Sequence, residues 1–287
     1  MKPNVTVIIP IFESENYLRT CLQSLLAQTY SNFEVLIIED PPYDRAREII
    51  EAFNDKRIIH LRNSDRKGRY TSRNIGVHQA RGKYIFFTDD DCVVSKDWID
   101  QGIKSFLNED CVGVEGKTIY VSETYEPTFS DHVVRSEGKQ FMTCNIAYTK
   151  SLMEHIGCFD ERYKTNGDRD FGLRAIKFGN IHFNSNMTVY HQQIVMTPKS
   201  FIREGKRIRN RVLLYKKLGE RISFLWRIVY PRNLLQLLCP PLVFVALFRS
   251  EFRSKADFDL LPFSYIMLLT ERLTLWATCA QERVFLI

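Results

Sequence analysis

Three carboxylates in a row, Asp89-Asp90-Asp91, follow the run Lys83-Tyr84-Ile85-Phe86-Phe87-Thr88. In an extended backbone Asp89 and Asp91 project to one side and Asp90 to the other, because the side-chain period of a strand is two. Two hard oxygen donors side by side suit Mg²⁺ or Mn²⁺, and such an ion suits a diphosphate. The competing reading is a solvated acidic turn. A second acidic group, Asp168 with Asp170, stands in Gly167-Asp168-Arg169-Asp170 at the opening of a helix, where a carboxylate can serve simply as a cap or first-turn residue favoured by the helix dipole. His191, in Val189-Tyr190-His191-Gln192, adds an imidazole after what reads as the last core strand.

The elements that must position these groups alternate. Val5 to Ile11 is an apolar strand with Pro10 at its end, where no ladder donor is needed. Leu18, Leu22, Leu25 and Leu26 recur at helical spacing after Ser14, giving one buried stripe. Val35-Leu36-Ile37-Ile38 is a second buried strand, ended by Glu39-Asp40-Pro41-Pro42; Ile58 to Leu61 is a third. A helix from Gly68 through Arg73-Asn74-Ile75-Gly76 leads into Tyr84 to Phe87, the fourth, with no Pro or Gly to interrupt it. Strand–helix alternation at this spacing predicts an α/β fold with a doubly wound, mainly parallel sheet, whose ligands sit at the carboxyl ends of the strands. No Gly-x-Gly-x-x-Gly or Gly-Lys-Ser/Thr follows the first strand, so phosphates are not held by a glycine loop.

Composition bounds the rest. The 287 residues, 45% hydrophobic and 26% charged, are ordinary for a globular chain and exclude wholesale disorder. Seven scattered cysteines without Cys-x-x-Cys fit free thiols in a reducing compartment, and Met1-Lys2-Pro3-Asn4-Val5 enters a strand too soon for a signal peptide. The net charge of +6 is concentrated: about eleven Lys or Arg lie between Lys199 and Arg232 against Glu204 and Glu220.

Eight short pieces, in order and register over roughly residues 4 to 195, together resemble family-2 glycosyltransferases. They are Val5 to Pro10 with Leu25-Leu26-Ala27-Gln28-Thr29-Tyr30 and Phe33-Glu34-Val35, Ser72-Arg73-Asn74-Ile75-Gly76, Arg81-Gly82-Lys83-Tyr84-Ile85, Asp89-x-Asp91, Gly157-Cys158-Phe159-Asp160-Glu161 and Asp168-x-Asp170-Phe171. The resemblance implies a GT-A fold, with a Rossmann-like nucleotide-sugar half (about 1–118) and an acceptor half (about 119–218); residues 219–287, beyond it, read as a helical appendage. It also implies a nucleotide-sugar donor (UDP-sugar favoured over GDP- or dTDP-sugar), a divalent Mn²⁺ or Mg²⁺, and inversion at the anomeric carbon. By position, Pro10 and Phe12 fall at the nucleoside and Asp40 at the base. Arg69 and Arg73 fall where they can approach the nucleotide, Arg73 alternatively packing beside the sheet. Asp89 and Asp91 fall at the sugar-phosphate and metal, with His191 a further ligand or a structural group. Asp168 falls at the general base, with Asp170 the alternative. Gly167 stands where the family usually has Glu, Glu39 where it usually has Asp, and Pro41-Pro42 where it usually has Gly-Ser. A non-catalytic sugar-nucleotide or membrane-binding subunit of a glycan-assembly complex is the other functional reading. A nucleotidyltransferase lacks its Gly-rich, Lys-containing signature here.

In the C-terminal quarter, Asn233 to Phe248 is uncharged but broken by Pro240-Pro241, and as helix spans only ~24 Å against a ~30 Å hydrocarbon core. Trp226, Tyr230 and Trp276 lie beside apolar stretches and the basic run. This favours peripheral or monotopic contact with the inner face of the plasma membrane over plain packing, on this chain or on a second subunit. No recognition fold accompanies the basic run, which sets nucleic acid aside. The acceptor expected is a glycan or a lipid-linked glycan in cell-surface polysaccharide or glycolipid synthesis, with residues 120 to 140 a loop that shapes its pocket.

Overall fold

The computed structural model describes residues 2–11, 15–41, 46–121, 138–192, 198–218 and 261–283. Phe12, Pro42, most of the 120 to 140 stretch, Trp226, Tyr230 and the Asn233 to Phe248 segment lie outside them.

Strands β1 (Val5–Ile11) and β2 (Phe33–Glu39) are buried at every residue, as unbroken apolar runs must be when helices cover both faces of a parallel sheet. They pair in parallel with each other, with β3 (Ile58–Arg62) beyond β2 and with β4 (Tyr84–Phe87) beyond β1. β4 stops pairing at Ile8, and Thr88 N donates to Ile8 O (3.4 Å). Pro10, two residues on, faces the same side, where no strand remains to want its missing N–H. Helix α1 (Glu15–Leu26) buries Leu18, Leu22 and Leu25. α2 (Ala46–Glu51) buries Ala46 and Ile50, and α3 (Arg69–Gln79) packs on β1 and β2.

Past β4 the sheet becomes mixed. The eight strands among the described residues run β3-β2-β1-β4-β7-β6-β8-β5. β7 (Ile146–Thr149) is antiparallel to both β4 and β6 (Cys111–Val121); β6 and β8 (Asn180–Gln192) are parallel; β5 (Cys92–Val94) is antiparallel to β8. α4 (Trp98–Ser105) seals this half: Trp98 is fully buried against Phe86 (5.1 Å between ring centroids), and its Nε1 donates to Asn145 Oδ1 (2.8 Å). α5 (Lys150–Ile156), capped by Thr149, and α6 (Gly167–Ala175) complete this part of the chain.

The chain divides into two compact units, Met1–Val121 with His132–Gln193, and Ser122–Asp131 with Ile194–Ile287. The boundary expected after residue 218 falls inside the second unit. There α7 (Pro198–Lys206) and α8 (Ile208–Leu218) pack on α9 (Leu261–Gln281), Lys216 pairs with Glu282 (3.0 Å), and Gly205 admits the α9 backbone so closely that a Cβ would stand 2.7 Å from Met267 O. Among the described residues no helix is long and apolar enough to cross a membrane. Cys21, Cys92, Cys111, Cys144, Cys158 and Cys279 are free thiols.

Candidate active site

The acidic triplet does not continue an extended strand. β4 ends at Phe87, and Asp89 to Asp91 form a turn closed by Cys92 N donating to Asp89 O (3.2 Å). The period-two argument for a shared face therefore gives way to turn geometry, and the two carboxylates take different partners. Asp89 accepts from Arg73 Nη2 (2.5 Å). Asp91 lies 3.7 Å from His191 Nε2. Asp90, expected to point away, is buried at 7% exposure. His191 does not follow the last strand but belongs to it: β5 pairs Cys92 with His191, and Gln192 N donates to Asp91 O (3.0 Å). Its Nδ1 is 2.8 Å from Gln192 O, and since a carbonyl only accepts, Nδ1 carries a proton and Nε2 is the nitrogen turned toward Asp91.

Asp91, Cys92 and His191 place one ligand atom each within 4.8 Å of one another. Burial pushes the Cys92 thiol well up, and sulfur is in any case a poor match for Mg²⁺ or Mn²⁺, which favour oxygen donors. A carboxylate oxygen and an imidazole nitrogen remain, a donor set that fits a divalent ion such as Mn²⁺. Burial pushes Asp91 up, and the charge of Asp89 adds to this against His191. Burial acts on Asp89 in the same sense, but Arg73, His191 and Arg69 together outweigh it and hold that carboxyl below its usual range.

Arg73 is 2% exposed and packs beside the sheet as well as pairing, while Arg69 is exposed one turn earlier on α3. Pro10 is buried in β1. Asp40, 1% exposed, has both oxygens engaged: Oδ2 accepts from Lys67 N (3.0 Å) and Gly68 N (2.8 Å), Oδ1 from Ser72 Oγ (3.2 Å) and from Asn63 Nδ2. It therefore holds the loop that launches α3. Glu39, beside it, is fully buried and meets His60 Nε2 at 2.7 Å.

Asp168 sits in the first turn of α6, after Asn166 in the left-handed region (φ 64°). It accepts from Arg169 N (2.9 Å) and from the hydroxyl of Tyr70 (3.3 Å). Burial pushes its carboxyl up, with the Arg169 N–H, Arg73 and Tyr70 opposing. Asp170 is a different kind of residue. Fully buried, it accepts from Arg174 Nε (2.9 Å), whose other nitrogens donate to the carbonyls of Ile156, Gly157 and Cys158. That makes it a structural clamp. Asn74 on α3 fastens the same segment from the other side, donating to Phe159 O and Glu161 Oε1 (both 2.9 Å) and accepting from Phe159 N (3.0 Å). Tyr70 was not legible as a site residue; the substitution of glycine at 167 was the only trace of it in the chain.

The family model described as glycosyl transferase family 2 matches residues 6–196. Among curated proteins the chain is similar to glycosyltransferase GlyA of Streptococcus pneumoniae serotype 4 (31% identity over 172 residues, 59% of this chain and 23% of GlyA). The chain spans less than two thirds of the length of GlyA and of the curated relatives that match next. Among solved structures it is similar to the mannosyltransferase PcManGT of Pyrobaculum calidifontis in complex with GDP-Man and Mn²⁺ (TM-score 0.63, 16% identity, 99% of this chain and 88% of that one). It is also similar to residues 1–349 of S. aureus TarS in complex with UDP-GlcNAc (TM-score 0.57, 17% identity, 98% and 91%). At these identities the structures establish the fold, which is of GT-A type.

Proposed function

The chain belongs to glycosyl transferase family 2, and from that membership we propose that it transfers a sugar from a nucleotide-sugar donor to an acceptor hydroxyl with inversion. One observation carries the assignment of roles. Helix α3 holds the two carboxylate sites at once, Arg73 gripping Asp89 and Tyr70, three residues earlier on the same face, meeting Asp168. Asp168 accepts the proton of the acceptor hydroxyl as that oxygen bonds to the sugar's C1. The C1–O bond to the diphosphate breaks on the opposite face, and the nucleoside diphosphate leaves with the electron pair. Burial favours this step, since a poorly solvated carboxylate is a stronger base than a surface one. Asp91 and His191 Nε2 are the residues that would hold a divalent metal, Mn²⁺ better matched than Mg²⁺ to an imidazole. When bound there, the ion supplies Lewis-acid neutralisation of the leaving diphosphate. Arg69, whose charge is felt at Asp89 and Asp91, adds a cation on the same side. Membership of a family of transferases supports catalysis over a binding-only role.

UDP-sugar is the favoured donor, with GDP- and dTDP-sugars as alternatives, and a glycan or lipid-linked glycan of the cell surface is the acceptor class. The second unit supports peripheral contact with an anionic membrane surface on the cytoplasmic side. Ile266, Leu269, Leu273 and Trp276 form an exposed apolar stripe along α9, and α7 and α8 expose Lys199, Arg203, Lys206, Arg209 and Lys216.

Nucleoside diphosphate release from a panel of UDP-, GDP- and dTDP-sugars with Mn²⁺ tests the reading. One donor class should turn over, and Asp168→Asn should lower its turnover by roughly 10²- to 10⁴-fold. Equal turnover by wild type and variant would remove Asp168 from the reaction.

A further inference from the structure

The first residue of α6 has no side chain, and the space one would need is taken. A Cβ on Gly167 would stand 2.7 Å from Cε2, 2.8 Å from Cζ and 2.9 Å from Cδ2 of Tyr70. The backbone of Gly167 is outside the left-handed region, so it is the ring and not a torsion that demands glycine. Tyr70 itself is 7% exposed, wedged between Phe159 (5.6 Å between centroids) and the Arg73 guanidinium (5.8 Å from the ring centre). Its hydroxyl accepts from Gly167 N (2.9 Å) and, with its own proton, donates to Asp168 Oδ1 (3.3 Å).

We infer that Tyr70 is a positioning residue for Asp168: its hydroxyl ties the first turn of α6 to α3 and orients the carboxylate, and Gly167 is the clearance its ring requires. The inference rests on the reading of Asp168 as the proton acceptor. Two physical points support it. Burial pushes the phenol well up, so it remains a donor across the working pH range. A hydroxyl that takes one hydrogen bond and gives another has its rotation fixed, so the proton is aimed at Oδ1 and the remaining lone pairs of the carboxylate are left for the substrate. Around Asp168 the other groups are Arg73 on α3, the Arg169 N–H on α6, and Tyr148 and Cys144 at β7, both held protonated by burial. Removal of the Tyr70 hydroxyl therefore deletes two hydrogen bonds, the one from Gly167 N and the one to Asp168 Oδ1, among groups whose charges stay constant.

The test is Tyr70→Phe, followed by ¹³C NMR titration of the Asp168 carboxyl, assigned by its loss in Asp168→Asn, and by the pH dependence of donor turnover. The carboxyl should titrate higher by about half a unit to one unit, because a donor to its charged form is gone. The acid limb of kcat/KM should move up by the same amount, and kcat should fall roughly tenfold with the donor KM unchanged. Gly167→Ala, which displaces the ring without deleting the hydroxyl, should reproduce the kcat loss, and in a Tyr70→Ala background should add nothing to it. A Tyr70→Phe protein whose Asp168 titration and acid limb coincide with wild type would overturn the inference, as would full additivity of Gly167→Ala and Tyr70→Ala. Asp168→Asn that still turns over donor, beside a shifted titration in Tyr70→Phe, would instead leave the Tyr70 contact standing and remove the base assignment.

Discussion

As the proposed general base Asp168 must be ionised to accept a proton, yet it is placed where ionisation is costly. Burial raises its carboxyl above the ordinary range, so its charged form weakens the fold: the stability it contributes is complete below the unfolded-state value near ~3.9 and is lost as pH rises through the folded-state value. Asp168→Asn should therefore be inactive yet melt a few degrees higher than wild type at pH 7, roughly 2–4 °C per kcal/mol for a chain of this size. The gap should narrow as pH falls through the folded-state value and close below the unfolded-state one, where the carboxyl is protonated in both states; calorimetry across that range reads both. Arg73 gives the opposite expectation. It is the buried partner of Asp89, and Arg73→Ala leaves that carboxylate without its main cation, so urea unfolding should show a loss of about 3 kcal/mol. Asp168 and Arg73 were visible in the chain because their motifs are local. Tyr70 was invisible because its partner lies 98 residues away, and no spacing rule connects one helix start to another reached after four more strands.

Elements with one period throughout were legible, and those with two were not. β1, β2 and β4 read directly from unbroken apolar runs, and α1 from its leucine spacing. β5, three residues long, and β8, thirteen residues of mixed and partly exposed character, carry no clean alternation. Yet β8 is what brings His191 to Asp91. The parallel β6–β8 ladder shifts register between Gly116 and Lys117, and beyond the shift Val189 to His191 lie between β6 and β5, paired to both. Gly116 makes this possible: a Cβ there would meet Met187 O at 2.1 Å and Asn145 Oδ1 at 2.5 Å, and Asn145 also holds Trp98, Lys117 O and Met187 O. Gly116→Ala should lower the urea midpoint by the equivalent of about 2 kcal/mol with an unchanged m-value. Because β8 carries His191, it should also weaken Mn²⁺ binding measured by calorimetry in the folded fraction. A variant as stable as wild type would mean that the ladder can absorb the methyl group and that the shift is not maintained by this glycine.

At the scale of the molecule, the charge excess read from the chain is carried by defined elements. Within the described residues the basic run lies along α7 and α8, and the buried side of α8 (Ile208, Val212, Leu214) leaves its lysines and arginines outside. α9 supplies the apolar half of the proposed membrane-contacting surface, with Leu273 56% and Trp276 52% exposed at helical spacing from Ile266 and Leu269. Basic residues near an anionic leaflet add ~1 kcal/mol each and are screened within a Debye length of ~10 Å at 0.1 M salt. Apolar insertion is not screened by salt. The two contributions can therefore be separated in one experiment. The protein should sediment with vesicles rich in anionic phospholipid at 0.1 M salt, and most of it should be released at 0.5 M. Leu273→Glu with Trp276→Ala should lower the residual bound fraction at high salt, with donor turnover in solution unchanged. Absence of sedimentation at low salt would overturn the membrane reading, and the α9 stripe would then be a surface for another protein or a second copy of the chain. Binding that is lost completely at 0.5 M, and is indifferent to the two α9 substitutions, would assign the contact to α7 and α8 alone.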